Sequence, residues 1–117
     1  MRYKDADQNI ILDKSFKFAL TTVQLARLLR DKREYVFANQ LLKSGTSIGA
    51  NVEEAVASVS RKEFHVKMSI SSKEARETRY WLRLLKASQT LDSAEVDDAI
   101  QKITEIIRIL TAIVKTT

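Results

Sequence analysis

Apolar residues recur along most of the chain at steps of three and four, the period of a helix with one face buried. Four segments show it, at about residues 9–30, 34–58, 61–88 and 93–115. In the first, Leu12, Phe16, Ala19, Val23 and Ala26 form a 4-3-4-3 seam, and Phe18, Leu25 and Leu29 form a second apolar stripe. One buried face needs only one of these. In the second, Phe37, Leu41, Ile48, Val52, Ala55 and Val59 line one side. The third carries the most regular seam, Phe64, Met68, Ser71, Ala75, Thr78, Leu82 and Leu85. The fourth has Val96, Ile100, Ile103, Ile107, Leu110 and Val114, widened by Ala99, Ile106, Ile109 and Ile113.

The breaks between segments carry helix-start chemistry. Ser60-Arg61-Lys62-Glu63 reads as a capping box, with the Ser60 hydroxyl accepting from the Glu63 amide. Asp92 or Ser93 suits the cap of the fourth helix, with Glu95 in its first turn. Asp31, with Glu34 three residues on, suits the cap of the second.

Gly45 and Gly49 stand one turn apart inside the second segment. Glycine within a helix costs about 1 kcal/mol relative to alanine. Two of them predict a close approach by another helix, with a local break of the helix as the alternative. The middle of the third seam is also small, so the two small stretches are expected to face each other in an antiparallel pair.

Matched helix lengths and short breaks predict an all-α, antiparallel up-down-up-down four-helix bundle occupying residues 1–117 as one domain. The surplus apolar surface of the first and fourth helices predicts self-association, with a wide but internal core as the alternative.

Composition narrows the function. The 117 residues include no proline, two glycines and no cysteine. Few turn-formers fit long helices, and the lack of cysteine removes disulfides, thiolate metal sites and cysteine nucleophiles. Met1 to Gln8 are polar, so no signal peptide is read there, and no apolar run approaches a membrane span. A cytoplasmic protein without membrane contact is expected. Twenty Lys and Arg against fifteen Asp and Glu give a net charge of +5, which favours polyanionic partners.

Catalytic chemistry finds little support. His65 is the only histidine, and there is no nucleophile elbow and no phosphate-cradling glycine loop. Glu74 and Glu77 share a helix face, but no E-x-x-H accompanies them, so a pair satisfied by basic or hydroxyl neighbours is favoured over a metal site. No cofactor or metal is expected, and the protein reads as a non-enzyme.

The basic residues are ordered. Lys73, Arg76, Arg79, Arg83 and Lys86 advance by 3, 3, 4 and 3 along the third helix, and Arg61 and Lys62 open it. Arginine forks donate two bonds at once to phosphate. The stripe is either a phosphate-contacting surface or a solvated face balanced by Glu74 and Glu77. Tyr80 and Trp81 adjoin it, with Trp81 expected in the core. No base-reading motif is present, so any nucleic-acid binding would be backbone-directed and salt-sensitive.

The run from Gln40 to Ala55, with Ser44-Gly45-Thr46-Ser47-Ile48-Gly49-Ala50-Asn51-Val52-Glu53-Glu54, resembles the 23S rRNA intervening-sequence proteins. So does Ser60 through Leu85, with Lys73-Glu74-Ala75-Arg76-Glu77-Thr78 and Tyr80-Trp81-Leu82. The resemblance covers essentially the whole chain. It implies an antiparallel four-helix bundle and a ring-shaped homopentamer, as in the related accessory variability determinant of diversity-generating retroelements. That relative binds nucleic acid and a reverse transcriptase, so RNA, DNA or a protein partner are all implied. The family motif brings no catalytic residues. Its recurrent polar positions match Ser44, Asn51, Glu54, Glu74 and Glu77, which are expected to make structural contacts between helices two and three.

Overall fold

The computed structural model describes residues 5–117. The reading of Met1–Gln8 as free of a signal peptide falls partly on residues 1–4, which lie outside the described residues. Four helices follow one another: α1 (Asp5–Asp31), α2 (Tyr35–Val56), α3 (Arg61–Ala87) and α4 (Ser93–Lys115). No strand occurs among the described residues. Three of the four helices lie within two residues of the expected bounds; α1 starts earlier, since no proline or glycine before Asn9 interrupts the helical backbone.

Cross-helix contacts run in opposite directions along each neighbouring pair. Ser44 and Ile48 of α2 meet Thr78 and Ser71 of α3. Lys86 and Arg76 of α3 meet Asp97 and Thr111 of α4. Gly45 and Gly49 of α2 meet Thr22 and Ser15 of α1. Consecutive helices are therefore antiparallel, and a sparser α1–α4 seam closes the bundle. The molecule measures 45 × 20 × 18 Å.

The α3 seam is buried at all seven predicted positions. Its polar members are satisfied: Ser71 donates to the Ile48 carbonyl (2.9 Å), and the Thr78 hydroxyl donates to Ser44 Oγ (2.9 Å). α4 buries a broad face made of Val96, Ala99, Ile103, Ile106, Ile107, Leu110 and Ile113. That width is used internally, because α4 packs on both α3 and α1. Its apolar surface is therefore not the surplus expected from the sequence.

α1 departs from the sequence reading. Its core seam is Ile11, Ser15, Phe18, Thr22, Leu25 and Leu29, which absorbs the second stripe together with two hydroxyl residues. Of the first stripe, only Ala26 is buried. Phe16 is 63% exposed, and Leu12, Ala19 and Val23 are half-buried. Both stripes have helical spacing, and the small hydroxyls Ser15 and Thr22 let α2 approach the second one. Only Phe16 of the first stripe stands open, with Leu20, 51% exposed, one turn on; Leu12 packs against the core.

α2 explains this choice. A β-carbon at Gly45 would stand 2.9 Å from Thr22 Cβ, and one at Gly49 would stand 3.3 Å from the Ser15 carbonyl oxygen. The glycines therefore admit α1, not α3 as expected. The α3 side of α2 uses Ser44 and Ile48 instead, so the small α3 stretch does face α2, but beside the glycines. Two further assignments on α2 change. Phe37 is half-buried, and Val59 is fully open to solvent because the helix ends at Val56.

Ser60 caps α3 as predicted, accepting from the Glu63 amide at 3.0 Å, and Asp92 caps α4, accepting from Ala94 at 2.8 Å. Asp31 does not cap α2. It is the last residue of α1, and Glu34 occupies the cap position without a side-chain bond. α1 ends in a Schellman motif, with Glu34 N–H bonded to the Leu29 carbonyl and Arg33 N–H to the Arg30 carbonyl. Arg33 adopts φ 62° there. α3 ends the same way through Thr90 and Gln89, with Gln89 at φ 57°.

Candidate nucleic-acid interface

The helical pitch of α3 turns Arg76, Arg79, Arg83 and Lys86 toward its α4 flank. The ends of this group are engaged. An Arg76 guanidinium nitrogen donates to Thr111 Oγ1 at 3.0 Å, and Lys86 Nζ pairs with Asp97 Oδ1 at 2.7 Å. Between them, Arg79 is half-buried and Arg83 exposed, and neither has a hydrogen bond or ion pair within the described residues. Two arginines with free donors thus lie between two tethered cations.

The predicted stripe is not uniform. Lys73 is exposed about 120° round the helix from Arg79, on the outer side with Tyr80. Arg61 and Lys62 are exposed at the α3 N-terminus, about 22 Å along the axis from Arg76. They flank a shallow hollow shared with His65 and Thr117, whose Nδ1 and Oγ1 lie 2.7 Å apart. The seven predicted cations therefore fall into a central group, Lys73 at its outer edge about 60° from Arg76, and a pair at the bundle end.

The polar motif also divides. Ser44 and Glu54 bridge α2 and α3, Ser44 through Thr78 and Glu54 through a 2.7 Å ion pair with Lys67. The hydrogen bond and charge of Glu54 raise the Lys67 pKa above its ordinary value. Asn51 instead donates to the Ser47 carbonyl (2.8 Å) of its own helix. Glu77 accepts from Trp81 Nε1 (3.2 Å), again within one helix. Glu74 is half-buried; partial desolvation and then the Glu77 charge raise its pKa, against Lys43 and Lys73.

Trp81 is half-buried, not fully enclosed. It meets Phe37 of α2 edge-on at 6.3 Å and Tyr80 edge-on at 5.4 Å. Tyr80 stays 53% exposed beside the central cations.

Sequence reasoning missed Asp97 and Thr111, the α4 partners that tether Lys86 and Arg76. Neither has a sequence signal, because the pairing crosses helices. Among the described residues, no group of three or more His, Asp or Glu gathers in a form that could hold a metal ion. No described helix is long and apolar enough to cross a membrane.

A family model described as "23S rRNA-intervening sequence protein" matches residues 7–112. Among solved structures, the chain is similar to a protein of unknown function from the S23 ribosomal protein family of Bacteroides thetaiotaomicron. The two share 39% identity and a TM-score of 0.89, over 93% of this chain and 98% of the other. No curated protein matches the chain.

Proposed function

Since the chain belongs to the 23S rRNA-intervening sequence protein family, we propose that it acts without catalysis as an oligomeric nucleic-acid-binding protein or as an accessory to a nucleic-acid-processing partner. It would do so in the cytoplasm, as a ring-shaped pentamer. The observation that carries this reading is the α3–α4 flank, where Arg79 and Arg83 keep unused donors between Arg76 and Lys86. A guanidinium without a protein partner is ready to exchange water for phosphate oxygens. Net charge of +5 supplies long-range attraction for a polyanion. Repetition of the flank around an oligomer would multiply the contacts.

Fluorescence anisotropy of labelled RNA and DNA across a salt series tests the proposal. Binding should weaken linearly on logarithmic axes, by about 0.7–0.9 units per phosphate contacted. Replacing Arg79 and Arg83 with glutamine should lower that slope by about two. Absence of binding to single and double strands at low salt overturns it.

One observation favours a second reading, a scaffold for protein contacts without nucleic acid. The uncovered α1 face holds Phe16 and Leu20, large side chains more than half exposed on successive turns. Apolar surface of that kind is suited to another protein surface and not to phosphate.

A further inference from the structure

Next to Arg83 and Lys86 the surface sinks into an open depression of about 550 Å³, bounded by these two cations with Tyr80, Leu84, Ala87 and Ile100. Its chemistry is two-sided. Leu84, Ala87 and Ile100 offer an apolar floor, Tyr80 an exposed aromatic ring, and the rim a free guanidinium and an ammonium. A phosphate backbone alone has no use for the floor or the ring. An apolar protein segment has no use for the cations. A nucleotide whose base is not paired uses both, with a π-face for Tyr80 and a phosphate for Arg83.

We infer that this depression is a seat for one unpaired nucleotide, its base on Tyr80 and Leu84 and its phosphate on Arg83. The inference rests on the proposed nucleic-acid binding and adds strand preference to it: single strands over duplex. Two structural features favour the position. Tyr80 packs edge-on against Trp81 at 5.4 Å and is still 53% exposed, which leaves ring surface for a base. Arg83 is one turn from Tyr80 along α3, within reach of a phosphate attached to a base lying on that ring. The Asp97 carboxylate holds Lys86 at 2.7 Å and leaves Arg83 as the primary anion contact.

The test is a cycle of two strands and two proteins, all at one low salt concentration. One labelled DNA strand of about ten nucleotides carries pyrimidine bases, and the second is abasic through its centre; a duplex of the first serves as reference. Wild-type protein should bind the base-bearing strand about tenfold more tightly than the abasic one. Tyr80→Ala should remove that difference, leave the duplex and abasic strands unchanged, and be rescued by Tyr80→Phe. Equal binding of base-bearing and abasic strands by wild type overturns the seat while leaving phosphate binding standing. No binding of any strand overturns the proposed function itself. A Tyr80→Ala protein that keeps its helical signal but changes oligomeric size also overturns the seat, assigning the depression to contact between copies.

Discussion

Gly45 of α2 lies so close to Thr22 of α1 that an added β-carbon would stand 2.9 Å from Thr22 Cβ and closer still to its methyl. Thr22 is fully buried and its hydroxyl is tied to the Ala19 carbonyl at 2.7 Å, so it has nowhere to turn. This contact sets the α1–α2 distance, and with it which stripe of α1 goes inside.

Gly45→Ala should therefore destabilise the protein. The helix gains about 1 kcal/mol from alanine, but overpacking against an immobile neighbour costs about 1–3 kcal/mol. Gly49→Ala meets Ser15 at a more tolerant 3.3 Å and should stay within about 1 kcal/mol of wild type. Urea midpoints of both variants check the order, and Thr22→Ser should partly restore Gly45→Ala.

Arg33 and Gln89 hold positive φ at the ends of α1 and α3, where a side chain pays a left-handed penalty that glycine avoids. Arg33→Gly and Gln89→Gly should each stabilise the protein by about 1 kcal/mol. Thermal and urea unfolding of the single variants measure this.

Glu74 provides a pH prediction with a definite sign. Its folded pKa is raised, by desolvation first and Glu77 second, so the folded state favours the protonated form. The stability contributed by protonated Glu74 is fully present below the ordinary carboxylate pKa. It is lost as pH rises through the raised value. Glu74→Gln should therefore be more stable than wild type at about pH 7, with the gap closing by about pH 3. Urea titrations at the two pH values decide it; a destabilised Gln variant at neutral pH would show that Lys43 and Lys73 dominate instead.

Phe16 and Leu20 test the assembly. Both are exposed, so Phe16→Asp with Leu20→Lys should leave the helical circular dichroism intact. If they lie between copies, association should weaken by well over tenfold, since each buried large apolar side chain contributes about 1.5–3 kcal/mol. Sedimentation velocity reads the change in size.

The legible parts of this chain are those where one signal acts alone. The α3 seam has no competitor on its helix, and all seven positions are inside. Ser60 and Asp92 are caps that need only local geometry. α1 was ambiguous because counting apolar residues favours the stripe through Phe16, whereas the buried seam passes through Ser15 and Thr22. Those two small hydroxyl residues were the visible complement of Gly45 and Gly49. Their spacing of seven residues, against four between the glycines, hides the match until the helices are set side by side. Asp31 failed as a cap because Arg33 entered the left-handed region without glycine, a conformation the residue type does not announce.

In the candidate site, the arginine spacing was readable, but the tethering of Arg76 by Thr111 and of Lys86 by Asp97 was not. Both partners belong to α4, and only the register of two packed helices selects them. The same holds for Ile100, which closes the depression beside Tyr80.

The order of contacts in the bundle also governs time. Each of α1–α2, α2–α3 and α3–α4 joins neighbours in sequence across a turn of a few residues, and only α1–α4 spans the chain. A search confined to adjacent hairpins is short, so rapid folding is expected, and stopped-flow fluorescence of Trp81 would read it. The α1–α4 seam carries the largest loop-closure entropy and the sparsest contact, so it is expected to close last and open first. Opening there leaves α1 held by its close contact with α2, so amide protons along the α1–α4 seam should exchange before the helix itself is released.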